Sequence, residues 1–439
     1  MAPKSSVTGS IIHDEFCRQI KASFAQNYLD RLFSKEDIET LPAQMRQTID
    51  DLPERFPASS KISNAILKKR WSRLPDVRAQ LLDPFSESQI SKYEANIENF
   101  IGTVKVPVGI AGPLRVNGLF AKGDYLIPLA TTEAALIASY HRGSCLLTAS
   151  GGCVSAILSE SVNRSPAFEF KTLVEAGTFV TWIIKQINHF KKIVSDMSNY
   201  GNLVDLAATI EGNHVYLNFE FTTGDASGQN MVTICTAEIC KFIIDSSPVK
   251  PTAHYIESNL SGDKKASTQA FTTVRGKKVC AEARIPAKLI KKILGTSPDK
   301  MVKYWKMSAI GGVLSGTIGI QGHYANGLAA FYIACGQDAA CVAESAIGVT
   351  RFELSEDGSL YAAVTLPGIM VGTVGGGTSL PSQQACLEIM GLAGKGQSPA
   401  LAEVCCGMLL AGELSIIGAL AAGDFTKAHK RLARDRRQG

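Results

Sequence analysis

Apolar residues fill most of the stretch from His323 to Ser345, which predicts a helix buried on nearly all of its faces. Asp338 interrupts this stretch between Gln337 and Ala339. An ionised carboxylate in a core is costly unless it is paired or hydrogen-bonded. The aspartate is therefore expected either to bond a neighbouring loop or to serve a functional site, and the second interpretation is favoured.

The pattern of the chain changes near residue 96. Residues 1–95 are polar, have helical apolar spacing and contain several prolines, which predicts a helical N-terminal region. Residues 97–114 combine β-branched side chains with Gly and Pro, which indicates short strands and tight turns.

The segment 126–143 predicts a strand followed by a helix. The strand is expected to end near Ala130, with Glu133 in the first helical turn, where a carboxylate suits the helix dipole. His141 and Arg142 are expected to close the helix. Singly they suit its negative end, and jointly they could hold a phosphate.

A different module is predicted between residues 166 and 252. Its expected elements are a helix, two strands and a second helix, at residues 173–193, 204–211, 215–222 and 232–244. Helices on one face of an antiparallel sheet fit this alternation. The Gly-rich turn 224–231 is a place to hold phosphate or ribose, although a plain turn is the favoured interpretation.

The remaining chain alternates polar loops with apolar elements. Lys264 and Lys265 lie in the polar loop 257–267, where such a pair is usually solvated. The later predicted elements are a strand–hairpin–strand unit at 270–285, a helix from Pro286, a hairpin of strands 349–355 and 359–366, and a helix at 397–422.

Three successive glycines, 375–377, lie in the stretch V-G-T-V-G-G-G-T-S-L. No Gly-Lys-Ser/Thr closes it, and no strand–G-x-G-x-x-G–helix unit occurs, so neither a Walker loop nor a Rossmann domain is supported. The glycines instead indicate backbone that is approached closely by something flat or anionic.

Composition narrows the class of protein. The chain has 439 residues, 45% hydrophobic and 19% charged, which is typical of a globular protein of two or three domains. Its net charge of +5 is partly concentrated in residues 427–437 without interleaved aromatics, which does not indicate nucleic-acid binding but suits an anionic substrate.

Cysteine use and hydropathy add further expectations. The 11 cysteines form no C-x-x-C pair, so neither a metal site nor a disulfide framework is expected. The cysteines are instead expected to be reduced and buried in the core. The N-terminus lacks the apolar region of a signal peptide. The sequence is expected to contain no apolar run of 18 residues, so no membrane-spanning segment is predicted.

Taken in order, these segments resemble the catalytic portion of class I 3-hydroxy-3-methylglutaryl-coenzyme A (HMG-CoA) reductase. The matching pieces are E-N-F-I-G (98–102), P-V-G-I-A-G-P-L (107–114), A-T-T-E (130–133), S-Y-H-R-G (139–143), D-K-K (263–265), Y-I-A-C-G-Q-D-A-A (332–340), G-T-V-G-G-G-T (372–378), A-G-E-L-S (411–415) and K-A-H (427–429). Each is weak alone, but their joint order over residues 96–432 is specific.

The resemblance implies an α+β fold in which a small ferredoxin-like cofactor domain is inserted into a large helix-centred substrate domain. E-N-F-I-G matches a subunit-contact motif, and a homodimer or homotetramer with the active site between subunits is implied. The expected parts are a helical N-terminal region (1–95), the substrate domain (96–165 and 253–422), the NADP(H)-binding domain (166–252) and a mobile C-terminal tail (423–439).

The implied activity is the four-electron reduction of HMG-CoA to mevalonate and free coenzyme A with two NADPH and no metal. Lys264 would stabilise the oxyanion, and His429 would protonate the departing thiolate. Glu133 would give a proton to the aldehyde oxygen. Asp338 would raise the pKa of Glu133 and anchor Lys264.

The resemblance also assigns binding residues. Those implied for substrate are Arg164 and Lys265 at the free carboxylate, Asp263 and Asn326 at the hydroxyl end, and Ser139, Arg142 and His323 at coenzyme A. Those implied for the cofactor are Ser198, Asn199, Tyr200, Asp225, Gly228, Asn230, Val374 and Gly375.

Several positions depart from the family pattern. Ser227 replaces a Met, Asn199 replaces an Arg for the 2′-phosphate, Glu257 replaces a substrate-binding Ser, and Lys306 matches a family lysine only after a one-residue shift. The alternatives are a diverged or inhibitor-resistant paralogue that reduces a related acyl-coenzyme A, and a non-catalytic thioester-binding relative. The family's multi-span anchor is absent, which implies a soluble cytoplasmic protein or a cytosol-facing catalytic fragment.

Overall fold

The computed structural model describes residues 54–94 and 96–423. From Ala58 onward the described residues belong to one compact unit. Residues 1–53 of the predicted helical N-terminal region lie outside the described residues, and so does the predicted tail with His429.

The secondary structure alternates helices and strands. The strands are β1 (Val108–Gly118), β2 (Lys122–Ala130), β3 (Cys153–Arg164), β4 (Ala167–Glu169), β5 (Asn202–Glu211), β6 (His214–Thr222), β7 (Ala253–Tyr255), β8 (Gly276–Ile285), β9 (Val349–Leu354) and β10 (Leu360–Ile369). The helices are α1 (Asn64–Trp71), α2 (Arg78–Leu81), α3 (Pro84–Ser88), α4 (Ile90–Tyr93), α5 (Leu136–Ala149), α6 (Leu173–Ile183), α7 (Ile187–Met197), α8 (Gln229–Ser246), α9 (Ala287–Leu294), α10 (Pro298–Ser315), α11 (Tyr324–Ala334), α12 (Val342–Ser345), α13 (Pro381–Ile389) and α14 (Ser398–Ala422).

The first four helices are short, and α1 and α3 begin with side-chain caps. Ser63 accepts a hydrogen bond from the Ile66 amide at α1, and Asp83 accepts one from the Ser86 amide at α3. Their apolar side chains form a small separate core around Leu67. The predicted helical character of this region is confirmed where it is described.

The larger sheet runs in the order β2-β1-β3-β8-β10-β9, and its only parallel pair among the described strands is β1 with β3. The helix α14 packs across β1, β3, β8 and β10, and on its other sides it meets α5, α10 and α11. The fold is thus centred on α14, not on the segment 323–345.

The length and composition of α14 would allow it to cross a membrane, with a mean hydropathy of 2.0 over an 18-residue window. The expectation that no such apolar run occurs is therefore wrong. However, 83% of that window is buried inside the protein. Two buried carboxylates are also satisfied there, since Glu403 accepts from the amides of residues 119–121 and Glu413 from those of Gly322 and His323. These features are typical of a core helix.

The smaller module has the order β4-α6-α7-β5-β6-α8-β7, and its antiparallel strands lie in the order β7-β4-β6-β5. This is the predicted ferredoxin-like arrangement. The end of β3 pairs with β6, so both modules share one continuous sheet. The helix predicted at 173–193 is two helices, because a 3-10 turn at Ile184–Gln186 separates α6 from α7.

The segment 323–345 is not one helix. α11 ends at Ala334, and Gly336 follows in the left-handed region with a φ of +67°. A Cβ at Gly336 would lie 2.3 Å from the Gly377 carbonyl oxygen, so a close backbone approach ends the helix. Asp338 instead caps a 3-10 turn, and its side chain is 40% exposed, so the prediction of a buried mid-helix aspartate is wrong.

The prediction for residues 126–143 is correct for the strand and wrong for the helix limits. β2 ends at Ala130 as expected, but α5 begins only at Leu136, because Ala135 has a φ of +72°. Glu133 therefore precedes the helix. His141 and Arg142 lie inside α5, which continues to Ala149.

The region 270–285 contains one strand, not a hairpin. Gly276 approaches the Ile369 carbonyl so closely that a Cβ would lie 2.5 Å from its oxygen, and β8 pairs with β3 and β10. The hairpin predicted at 349–366 is confirmed by the antiparallel pairing of β9 with β10.

Candidate active site

A cleft of about 660 Å³ opens where the start of α8, the turn after α11 and the loop 372–378 meet. Four of the predicted cofactor residues line it together with two of the predicted catalytic residues. These are Gly228, Asn230, Val374 and Gly375, with Lys264 and Asp338.

The backbone of this cleft presents polar groups to its interior. Gly228 has a φ of +73° and directly precedes α8, whose first amides have no partner within the helix. Gly375 also has a positive φ, of +75°, opposite that helix start. A helix N-terminus beside a glycine loop suits an anionic, flat ligand, as the glycine run predicts.

Gln337 holds two walls of the cleft together. Its side-chain oxygen accepts from the Gly372 amide at 2.8 Å, and its side-chain nitrogen donates to the carbonyls of Gly372 (3.0 Å) and Cys335 (2.6 Å). The turn after α11 is thereby fixed against the glycine loop. Sequence reasoning missed this residue, although it directly precedes Asp338.

Lys264 and Asp338 form an ion pair at the edge of the cleft, with 2.9 Å between Nζ and Oδ2. The hydrogen bond to Asp338 raises the pKa of Lys264, so the lysine remains a cation. Lys264 has a φ of +56°, a conformation that is unfavourable for a residue with a Cβ. The lysine is therefore held in place by its surroundings.

A buried network of charges lies directly behind Lys264. Arg164 Nη1 donates to Glu257 (2.9 Å) and to Asp263 (3.0 Å), while Arg275 donates to Asp263 (2.5 Å) and to Glu344 (2.6 Å). Burial alone raises the pKa of Asp263, but the two arginines hold that pKa below its ordinary value. Burial raises the pKa of Glu344 in spite of its arginine partner.

Two other predicted residues contact each other away from this network. The side-chain amide of Asn326 donates to a carboxylate oxygen of Glu133 at 3.4 Å, and Thr131 Oγ1 accepts from the backbone amide of Glu133. Glu133 is not among the described residues that line the cleft. Among the described residues of one chain, Glu133 therefore does not line this cleft with Asp338, and their expected proximity stays a prediction.

The residues predicted for coenzyme A meet on α14. Ser139 Oγ lies 2.9 Å from Ser415 Oγ, Arg142 donates to the Ser415 carbonyl at 3.0 Å, and the His323 ring bonds the Gly412 carbonyl at 2.9 Å. This is possible because α5 and α14 cross closely: a Cβ at Gly143 would lie 1.8 Å from the Ala411 carbonyl oxygen.

The loop between α7 and β5 contains the predicted residues Ser198, Asn199 and Tyr200. Ser198 Oγ accepts from the amides of Tyr200 and Gly201, which shapes the turn and leaves Asn199 and Tyr200 exposed. The ammonium of Lys395 lies 5.6 Å from the centre of the Tyr200 ring. Sequence reasoning gave no role to Lys395.

Asp225 links this loop region to the central helix. Its carboxylate accepts from the amides of Gly396 (2.7 Å) and Ser398 (3.3 Å), at the start of α14. The backbone carbonyl of Asp225 accepts from Thr373, next to the glycine loop. Asp225 therefore positions the chain on one side of the cleft.

The other predicted substrate residue, Lys265, donates to the Asp263 carbonyl at 2.9 Å and is exposed. In the described part of the chain, no group of three or more His, Cys, Asp or Glu side chains could hold a metal ion.

Comparisons with known proteins point to one family. The family profile described as hydroxymethylglutaryl-coenzyme A reductase matches residues 61–434. A 3-hydroxy-3-methylglutaryl-coenzyme A reductase from Pyrococcus horikoshii is 43% identical over 348 residues, covering 77% of this chain and 84% of that protein. The enzyme of that name from Methanocaldococcus jannaschii is 36% identical over 414 residues, covering 93% and 100%.

The fold has also been seen before. The class II 3-hydroxy-3-methylglutaryl-CoA reductase of Streptococcus pneumoniae, solved with NADPH in open conformations, matches with a TM-score of 0.62 and 18% identity. The match covers 82% of this chain and 97% of that one. On the length of the profile match and the identity to curated relatives, the chain belongs to the hydroxymethylglutaryl-coenzyme A reductase family.

Proposed function

We propose that the chain reduces HMG-CoA to mevalonate and free coenzyme A with two NADPH. The observation that carries this proposal is the Lys264–Asp338 pair at the edge of a glycine-lined cleft, in a chain of this family. The cleft volume of about 660 Å³ and its helix N-terminus fit a dinucleotide that carries phosphates.

When bound, the cofactor supplies the hydride. Lys264 holds a positive charge where the oxyanion develops, and Asp338 fixes the position of its ammonium. Gly228, Asn230, Val374 and Gly375 are the residues we assign to cofactor binding in the cleft.

The protons come from two further residues in this proposal. Glu133, oriented by Asn326, gives a proton to the aldehyde oxygen in the second reduction. His429 protonates the leaving thiolate in the first reduction. Separate proton donors for separate steps are consistent with a reaction in two stages.

We further propose that a second copy of the chain completes the site. Glu133 and Asn326 lie outside the cleft that holds Lys264, so they need not act on the lysine of the same chain. A groove of about 540 Å³ beside the E-N-F-I-G segment is lined by exposed apolar residues such as Val104 and Val108. Such a surface suits a homodimer or homotetramer.

The class I assignment is also a proposal, and so is a cytoplasmic location. The class is supported by the matching motifs. A crystal structure of the complete chain tests it, and closer superposition on class II than on class I enzymes would overturn the assignment.

We expect two NADPH to be consumed for each coenzyme A thiol released. Absorbance of the reduced nicotinamide and titration of the thiol measure the ratio on the same sample. A ratio of one, with aldehyde accumulating, would show that the second reduction is not catalysed by this chain.

One observation favours a second candidate, the reduction of an acyl-coenzyme A without a free carboxylate. The Arg164 guanidinium already donates a hydrogen bond to the Glu257 carboxylate, so this internal carboxylate competes with a substrate carboxylate for the same arginine. Comparing kcat/KM for HMG-CoA with that for uncharged acyl thioesters separates the two functions. Glu257→Ser should favour HMG-CoA if this competition is real.

We expect NADPH to be preferred over NADH, but weakly, because Asn199 brings no charge to the 2′-phosphate. Lys395, close to Tyr200, is the cation that the structure adds to this loop. Lys395→Ala should reduce the preference about tenfold, since a hydrogen bond to a charged group contributes roughly 1.5–3 kcal/mol. The measurement is the ratio of kcat/KM for the two cofactors.

Asn199→Arg should sharpen the same preference, because an arginine pairs well with phosphate. Lys191→Ala is the comparison for Lys395→Ala, since Lys191 is an exposed lysine in the middle of the adjacent helix α7. A loss of preference in Lys191→Ala but not in Lys395→Ala would place the phosphate at α7, and a clear NADH preference of the unmodified chain would contradict both assignments.

A further inference from the structure

Arg275 is a buried arginine, only 5% exposed, between the main sheet and the loop that carries Lys264. Each nitrogen of its guanidinium has a partner. Nε donates to Glu344, Nη1 donates to the carbonyl and side-chain oxygens of Asn163, and Nη2 donates to Asp263. The guanidinium thus ties together β3, α12 and the loop 257–267.

The bond to Asp263 matters because Lys264 is the next residue. The Asp263 carboxylate accepts hydrogen bonds from two arginines, Arg275 at 2.5 Å and Arg164 at 3.0 Å. Lys264 itself has the unfavourable φ of +56°. A backbone in this conformation relaxes when the residue beside it is released, and the ammonium would then leave Asp338.

We propose that Arg275 is a positioning residue for the reduction, which acts through Asp263 to hold the Lys264 ammonium against Asp338. The kinetic test of this inference rests on the proposed function, whereas the test by chemical labelling of Lys264 does not. Glu344 and Asn163 anchor the arginine on the sheet side, so the position of Lys264 is set by residues far from it in sequence.

A lysine cannot replace this arginine. The three bonding directions of Arg275 diverge in the plane of a rigid fork, whereas a lysine ammonium is a single compact charge. Arg275→Lys keeps the charge that neutralises the buried carboxylates, so we expect it to fold. It still loses the simultaneous grip on Asp263, Glu344 and Asn163.

Arg275→Lys and Arg275→Met are therefore compared with the unmodified chain. For both variants we expect kcat for reduction of added mevaldehyde to fall about 10–100-fold, because displacement of a catalytic group by about 1 Å can cost 10²-fold. The KM for NADPH should change little. In the pH profile, the alkaline limb should move to lower pH, because Lys264 loses the hydrogen bond that raises its pKa.

A second readout does not depend on the reaction. The pH dependence of Lys264 labelling by an amine-reactive reagent, followed by peptide mass spectrometry, reports its protonation directly. In the unmodified chain, labelling should begin at higher pH than in Arg275→Lys. This shift tests the positioning role even when the chain proves to reduce another thioester.

The matched control is Lys277→Met. Lys277 is a buried cation on β8, close to Arg275 in sequence, and it pairs with Glu160 on β3 at 3.2 Å. Its loss should lower the unfolding temperature but leave both the labelling profile and the mevaldehyde pH profile unchanged. Equal changes in Lys277→Met and Arg275→Lys, or an unshifted Lys264 labelling profile in Arg275→Lys, would overturn the proposal.

Discussion

Replacing Lys264 with methionine should lower kcat about 10²–10³-fold, which is the usual cost of removing one group that stabilises an oxyanion. The loss should be similar for HMG-CoA and for added mevaldehyde, because negative charge develops on the same oxygen in both reductions. Methionine keeps most of the side-chain length and removes the charge and the bond to Asp338. Steady-state rates with each substrate measure the effect.

The folded state should survive this change, because the Lys264 side chain is 42% exposed and exposed ion pairs contribute little to stability. Lys250→Met is the control, since Lys250 is also an exposed lysine and its ammonium donates only to the carbonyls of Ile244 and Asp245 in the described structure. If Lys264→Met impaired only the thioester step, the lysine would not stabilise the shared oxyanion.

The same variant tests whether the site is shared between subunits. Lys264→Met and Glu133→Gln chains, each inactive alone, are mixed under conditions in which subunits exchange. If Lys264 acts with Glu133 of a second copy, each mixed dimer has one intact site and activity returns. No recovery, with exchange shown by mass, would mean that both residues act within one chain.

Much of the fold could be predicted from the sequence, because local patterns carry it. The alternation around 204–222 predicts β5 and β6, and the small apolar residues of 397–422 predict α14 to within one residue at its start. The hairpin of β9 and β10 follows from its turn residues. These elements are specified by periodicity and turn chemistry over short distances.

The ends of the helices were harder to predict from the sequence, because tertiary contacts set them. The end of α11 at Ala334 depends on the approach of Gly336 to Gly377. The local pattern of residues 323–345 does not indicate a contact with a residue so distant in sequence. For the same reason the Asp338 carboxylate was predicted to be buried. Its ion pair with Lys264 depends on a loop that the sequence places more than seventy residues earlier.

The site was predicted unevenly. The residues of the family motifs could be named, including the buried Arg164 and the partly buried Asp263, because a resemblance assigns residues by position. Arg275, which completes the network around them, could not be named, since it joins Asn163 and Glu344 over separations of 112 and 69 residues. In the sequence V-R-G-K-K, the arginine is typical of a hairpin turn, and only burial distinguishes it.

The residue with the largest expected effect lies outside the described part of the chain. His429→Gln should slow thioester reduction about 10²–10⁴-fold, the usual cost of losing a general acid. Reduction of added mevaldehyde should change little, because no thiolate leaves in that step. Both rates are measured with NADPH at saturating substrate, and coenzyme A release is followed by thiol titration.

The pH dependence provides a second test of the same assignment. A histidine that gives a proton must be protonated, so thioester reduction should decline as pH rises through the pKa of His429, and His429→Gln should lose this limb. His189→Gln is the control, since His189 is an exposed histidine that stacks on Phe242 in the small module. Equal losses on both substrates would remove the thiolate role from His429, because a group needed in both reductions cannot act only on the leaving sulfur.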